Sequence, residues 1–249
     1  MGKGLAIIGT DVGVGKTVVA AGIAGALIER GVRVGVMKPV AIDSIEVDGK
    51  LVSRDAHYLK LVTEVEDEQP LINPYLYETQ IAPSVAARLE RREEVDLKLL
   101  EDRYFELTLL HETIIVDTVG GLLSPLNDHE TNLDLCLRLG LDILVVGHGR
   151  IGTINHTLLT TQCARMMGLH VSGIVIDAHD TYRVGMIERT NPQEIERFSQ
   201  VPFLGILPWI DGVDVEHGQF LGLVDTVKRR VDLDPLLLDD DPDWHSDIP

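Results

Sequence analysis

The sequence predicts an α/β fold: a single domain with a doubly wound, mostly parallel sheet and helices on both of its faces. Short β-branched runs alternate with segments of helical periodicity, the pattern of repeated βαβ units. Runs such as "GLAIIG" and the "IIV" of "TIIVD" are continuously apolar instead of alternating, as strands covered on both faces require. At 249 residues the chain can bury a large core, and no Pro/Gly/Ser linker or shift of composition divides it.

Strands are expected near 4–10, 33–38, 112–117, 142–147, 171–177 and 203–206. Helices are expected over 16–30, 54–63, 82–90, 95–109, 131–139, 154–168 and 193–200. Gly31 is a normal stop for the first helix, and Pro39 ends the second strand. Thr153 and Asn155 stand where a cap is expected for the 154–168 helix. The domain is expected to span 1–232, leaving 233–249 as a solvated acidic tail, "LDPLLLDDDPDWHSDIP".

Acidic residues number 40 against 22 basic, a formal charge of −18, which repels nucleic acid and anionic lipid. No run reaches the roughly 18 apolar residues of a membrane span, and the opening "MGKGLAIIGT" lacks the apolar segment of a secretory signal. A cytoplasmic protein without membrane or nucleic-acid partners is therefore expected. Cys136 and Cys163 have no metal-binding spacing and read as reduced thiols.

The segment "GTDVGVGKT", residues 9–17, joins the first strand to the first helix. A glycine-rich turn there presents backbone N–H groups and a positive helix terminus to an anion. Lys16 supplies a charge for the outer phosphates and Thr17 a hydroxyl for magnesium, as in a nucleotide-binding P-loop. Gly9 lies five residues before Gly15, one more than in the usual pattern. Other unusual residues also fall at strand ends: Lys38, Asp117, Gly149 to Asn155, Asp177 and Pro208. In an open α/β sheet the ligand crevice lies outside those carboxyl ends.

Each of these residues has a plain reading beside the functional one. Asp117 in "TIIVDTVGG" either holds magnesium or caps the turn before Gly120. Asp55 in "SRDAHYL" is either a second metal ligand or an ordinary helix-start acid. Lys38 either meets an anion or snorkels to solvent. The glycines before the 154–168 helix offer a second anion site, suited to a carboxylate.

Together "GTDVGVGKT", "KPV", "RDA", "NPY", "VGGLLSPL", "GTINHTLLT" and "FLGILPW" resemble the dethiobiotin synthases, P-loop ligases of biotin synthesis, from about residue 5 to 210. The resemblance implies a homodimer that uses ATP and magnesium. It forms a carbamate from carbon dioxide and an amine of 7,8-diaminopelargonate, phosphorylates it, and closes a cyclic urea. It implies that Lys16 and Lys38 are catalytic, and that Thr17, Asp55 and Asp117 hold the metal. The implied nucleotide contacts are Asp11, Val12, Gly13, Val14, Gly15, Lys16, Thr17 and Val18, with Asp177 and Pro208 near the base. The implied substrate contacts are Lys38, Ile42 and Gly120, with Gly152, Thr153, Ile154 and Asn155 given by the second subunit to the substrate carboxylate.

Several positions depart from the family pattern. Val12 replaces a common Thr, Gly13 a frequent polar residue, Ile42 a Ser, and Asp117-Thr118-Val119 the usual Glu-Gly-Ala. Asp177 stands where Asn commonly reads adenine; ionised Asp only accepts hydrogen bonds, so altered base preference is expected. A related ligase for another amine or acid is the second reading. A nucleotide-gated switch of the partition and septum-placement type is the third, weakened by the lack of a second lysine between Gly9 and Gly15.

Overall fold

The computed structural model describes residues 3–178 and 186–237. Its central sheet has six strands: β1 Lys3–Gly9, β2 Val34–Met37, β3 Thr113–Gly121, β4 Asp142–His148, β5 Val171–Ala178 and β6 Phe203–Pro208. They lie side by side as β6-β5-β4-β1-β3-β2, all pairs parallel. The chain order thus reverses beside β1, and a crevice opens where connections leave in opposite directions.

Nine helices are present among the described residues: α1 Lys16–Glu29, α2 Arg54–Thr63, α3 Gln69–Ile72, α4 Pro83–Glu90, α5 Leu97–Leu110, α6 Asn132–Leu139, α7 Thr153–Met166, α8 Met186–Ser199 and α9 Leu223–Arg230. In β1 the pleat sends Leu5 and Ile7 into one buried cluster with α1, α2 and α9, and Ala6 and Ile8 into another with α4 to α8. This two-sided burial is why the strand reads as an unbroken apolar run. Helix α1 is buried over most of its turns and packs so tightly on α9 that a Cβ on Gly22 would lie 2.6 Å from Val227.

Four local expectations are corrected. Asp117 does not end its strand: β3 runs on to Gly121, with a register shift opposite Ile7 and Gly9 that curls it toward the glycine-rich turn. Neither Thr153 nor Asn155 caps α7. Gly152, at φ 97°, turns the chain into the helix one residue early, so no side chain caps its first turn. Helix α8 starts well before residue 193 and carries Pro192 inside it. Two antiparallel hairpins, Ile45–Val47 with Lys50–Val52 and Val213–Asp214 with Gln219–Phe220, occupy stretches to which the sequence assigned no element. In the acidic segment Leu233 and Leu236 are buried against the sheet, and 238–249 lie outside the described residues.

Candidate active site

The turn after β1 is shaped by what its glycines exclude. A Cβ on Gly9 would lie 2.6 Å from the Asp11 carbonyl and 2.9 Å from Lys16 Nζ. Gly13 and Gly15 take left-handed φ values of 69° and 82°, and Gly15 is the N-cap of α1. No side chain caps α1 and its first turn carries no acid, so its free N–H groups and dipole favour an external anion. Lys16 lies over the turn with Nζ donating to the Asp11 carbonyl at 3.3 Å. Burial, and next the nearby Lys38 charge, lower its pKa to about 8.

Beneath this turn sits a charged cluster. Lys38, just past β2, is almost fully buried; its Nζ donates to Asp117 Oδ2 and contacts Asp55 Oδ2, each at 2.8 Å. Burial alone would lower the Lys38 pKa, but the two carboxylates outweigh it and hold the ammonium charged above its ordinary range. Asp55, on the first turn of α2, keeps 37% of its side chain exposed; desolvation pushes its pKa up, yet Lys38 outweighs this and draws it below the usual carboxylate range. Thr17 Oγ1 donates to the same Asp117 Oδ2 at 2.7 Å. The fully buried Asp117 thus accepts from two groups through one oxygen, while Oδ1 has no hydrogen-bond partner among the described residues. A buried carboxylate oxygen left unpaired costs several kcal/mol unless something meets it. A hard cation held by two carboxylates and a hydroxyl, with phosphate and water completing its shell, suits that donor set.

The cleft above the cluster has a volume of about 810 Å³. Val12, Gly13, Gly15, Lys16, Thr17, Val18, Lys38, Ile42, Asp55, Gly120 and Asp177 all line it, so residues from five separate chain segments meet there. Asp117 supports it from below. Asp11, Val14 and Pro208 do not line it; Val14 is buried in the core under α1. Gly152, Thr153, Ile154 and Asn155 also lie off this cleft, at the start of α7. Asp177 is pressed against the phosphate turn, where a Cβ on Gly15 would sit 1.7 Å from its Oδ2. Burial raises its pKa to about 7.

A family model described as an AAA domain matches residues 3–217. The ATP-dependent dethiobiotin synthetase of Thermodesulfovibrio yellowstonii is 33% identical over 95% of this chain and 99% of its own. That of Bacillus licheniformis is 39% identical over 84% and 87%. The chain belongs to the dethiobiotin synthetase family. Solved structures share its fold at lower identity: the MinC:MinD cell division complex of Aquifex aeolicus, at 15% identity and TM-score 0.56, covers 91% of this chain and 95% of that one. A ParA-family ATPase of Chlorobium tepidum follows at 16% and TM-score 0.53, covering 92% and 91%.

In this member of the dethiobiotin synthetase family, one wall of the cleft comes from residues that sequence reasoning passed over. Trp209 and most of the hairpin of 213–220 line the same cleft as the P-loop, and Arg54 lines it beside Asp55. The alternation in "VDVEHGQF" around Gly218, and "DG" between "IEV" and "KLV", are hairpin signals that would have found both small sheets. Arg54 opens the quoted "RDA", but nothing in that motif marked it as a cleft residue. Among the described residues no helix is long and apolar enough to cross a membrane.

Proposed function

We propose that the chain is a dethiobiotin synthetase, closing a cyclic urea on 7,8-diaminopelargonate with carbon dioxide and a nucleoside triphosphate. Alongside family membership, the observation that carries this reading is one buried ammonium, Lys38, between two carboxylates and next to a P-loop lysine. An amine of the substrate adds to carbon dioxide and loses a proton, giving a carbamate. A carbamate oxygen takes the γ-phosphoryl group and the nucleoside diphosphate leaves. The second amine then attacks the carbonyl carbon and phosphate departs. None of these steps needs a protein nucleophile; they need positioning and charge.

In this proposal the P-loop amides from Asp11 to Val18 and Lys16 hold the phosphates. Thr17, Asp55 and Asp117 hold magnesium, which neutralises phosphate charge when bound. Lys38, kept protonated by Asp55 and Asp117 despite its burial, faces the carbamate and the γ-phosphate. Ile42 and Gly120 border the diamine. Asp177, and Pro208 through the segment it opens, stand near the base, and Asp177 relaxes the preference for adenine.

Gly152, Thr153, Ile154 and Asn155 serve the cleft of a second copy in a homodimer. That they do not line their own cleft, and that Ile151 and Leu159 beside them are exposed, support this reading. The protein acts in the cytoplasm and binds neither nucleic acid nor membrane. Formation of dethiobiotin from diamine, bicarbonate and magnesium tests the reaction, and sedimentation tests the dimer. A related ligase for another amine remains the second reading, favoured only by Val12 and Ile42 in the cleft wall.

A further inference from the structure

Three cations line the cleft, Lys16, Lys38 and Arg54, against six acidic side chains. A nucleoside triphosphate brings several more negative charges. Lys38 is committed to Asp55 and Asp117, and Lys16 to the phosphate turn. Arg54 differs from both. Its guanidinium lies between Asp43 and Glu216, at 3.7 Å from each, and makes no hydrogen bond among the described residues. At that distance neither contact is a hydrogen bond, so none of its five rigid donors is committed to a protein acceptor among the described residues.

Both partners are themselves largely exposed, at 57% and 67%, so these loose pairs contribute little and are lost at little cost. The base of the side chain is fixed, because Arg54 is the first residue of α2 and Ser53 caps that helix through the Ala56 N–H at 3.1 Å. The hairpin carrying Glu216 does not rely on Arg54. Tyr58 OH donates to the Gln219 carbonyl at 3.1 Å, and Gly218 lies so close to Leu61 that a Cβ would be 2.9 Å from it. Arg54 therefore reads as a cation in reserve in the cleft lining, not as a structural tie.

We propose that the Arg54 guanidinium parts from Asp43 and Glu216 and donates bidentate hydrogen bonds to the triphosphate oxygens of the nucleotide. A planar guanidinium suits that task better than an ammonium. The inference rests on the nucleotide occupying this cleft, as proposed above.

The test is calorimetric titration of the full chain with ATP and magnesium, with KM measured separately for ATP and the diamine. Arg54→Ala should weaken ATP about 10- to 100-fold and raise KM for ATP, leaving KM for the diamine within about twofold; Arg54→Lys should recover part of the loss. Glu216→Gln should tighten ATP in the native background but not once Arg54 is Ala, since the gain comes from releasing the guanidinium. Unchanged ATP affinity in Arg54→Ala, a rise confined to the diamine KM, or a Glu216→Gln gain that persists without Arg54 would overturn the proposal. Native protein that bound no ATP would instead overturn the nucleotide reading on which it stands.

Discussion

Lys38 Nζ donates to Asp117 Oδ2 at 2.8 Å in a site where both side chains are almost fully buried. Two opposite charges out of water hold each other in place, and removing one leaves the other uncompensated. Lys38→Ala should therefore lower stability by about 3–5 kcal/mol in a denaturant melt. If the lost charge faces the transferring group, as proposed, turnover should fall at least about 100-fold while nucleotide binding persists. An unchanged rate from the folded variant would remove Lys38 from the mechanism.

Asp117 has one oxygen shared by Thr17 and Lys38 and one oxygen unmet. If the unmet oxygen receives magnesium, Asp117→Asn should raise the magnesium needed for half-maximal activity at least about tenfold, since even indirect supports of metal sites are worth that much. A magnesium titration superimposable on the native curve would assign the oxygen to another partner.

Asp177 stays protonated in the folded state up to about pH 7, against an ordinary value of 3.8, because burial disfavours its charge. The folded chain thus holds a proton that the unfolded chain has released, and stability is lost as pH rises from about 4 to about 7. Asp177→Asn has no such loss. Relative to the native chain it should gain roughly 2–4 kcal/mol between pH 4 and pH 8. Denaturation curves for the two proteins that shift in parallel across that range would contradict this. Nucleotide preference should follow the same titration, with GTP and CTP gaining on ATP as Asp177 loses its donor proton.

Lys16 titrates near pH 8 in the ligand-free cleft, lowered by burial and Lys38. Phosphate should restore its charge, so nucleotide binding near pH 8.5 should take up protons. Titration calorimetry in buffers of different ionisation heat reads this directly. Binding heats independent of the buffer would mean that Lys16 is already charged there.

The strands, the doubly wound arrangement and the P-loop were legible in the sequence because each depends on local signals. Continuous apolar runs report two-sided burial, and Gly13 and Gly15 mark the left-handed turn that opens α1. Asp117 and Lys38 could be named as expensive residues near strand ends, but not as partners, since 79 residues separate them and only the pairing of β2 with β3 brings them together. The cleft wall at Arg54 and 213–220 was missed for a related reason. Its shape depends on Tyr58 and Leu61 of α2 meeting Gln219 and Gly218, contacts that no short window contains. The start of α7 was misread because Gly152 supplies by its φ angle what a capping side chain usually does.

In the proposed reaction this cleft closes a cyclic urea on a diamine. Its most direct test is mass-spectrometric detection of dethiobiotin from 7,8-diaminopelargonate, bicarbonate and magnesium, run in parallel with ATP, CTP and GTP. Product should form only with magnesium present, with CTP or GTP competing well against ATP at pH 8. No product with any nucleotide, from folded protein that still binds them, would mean that Lys38 and its carboxylates act on a different amine or acid.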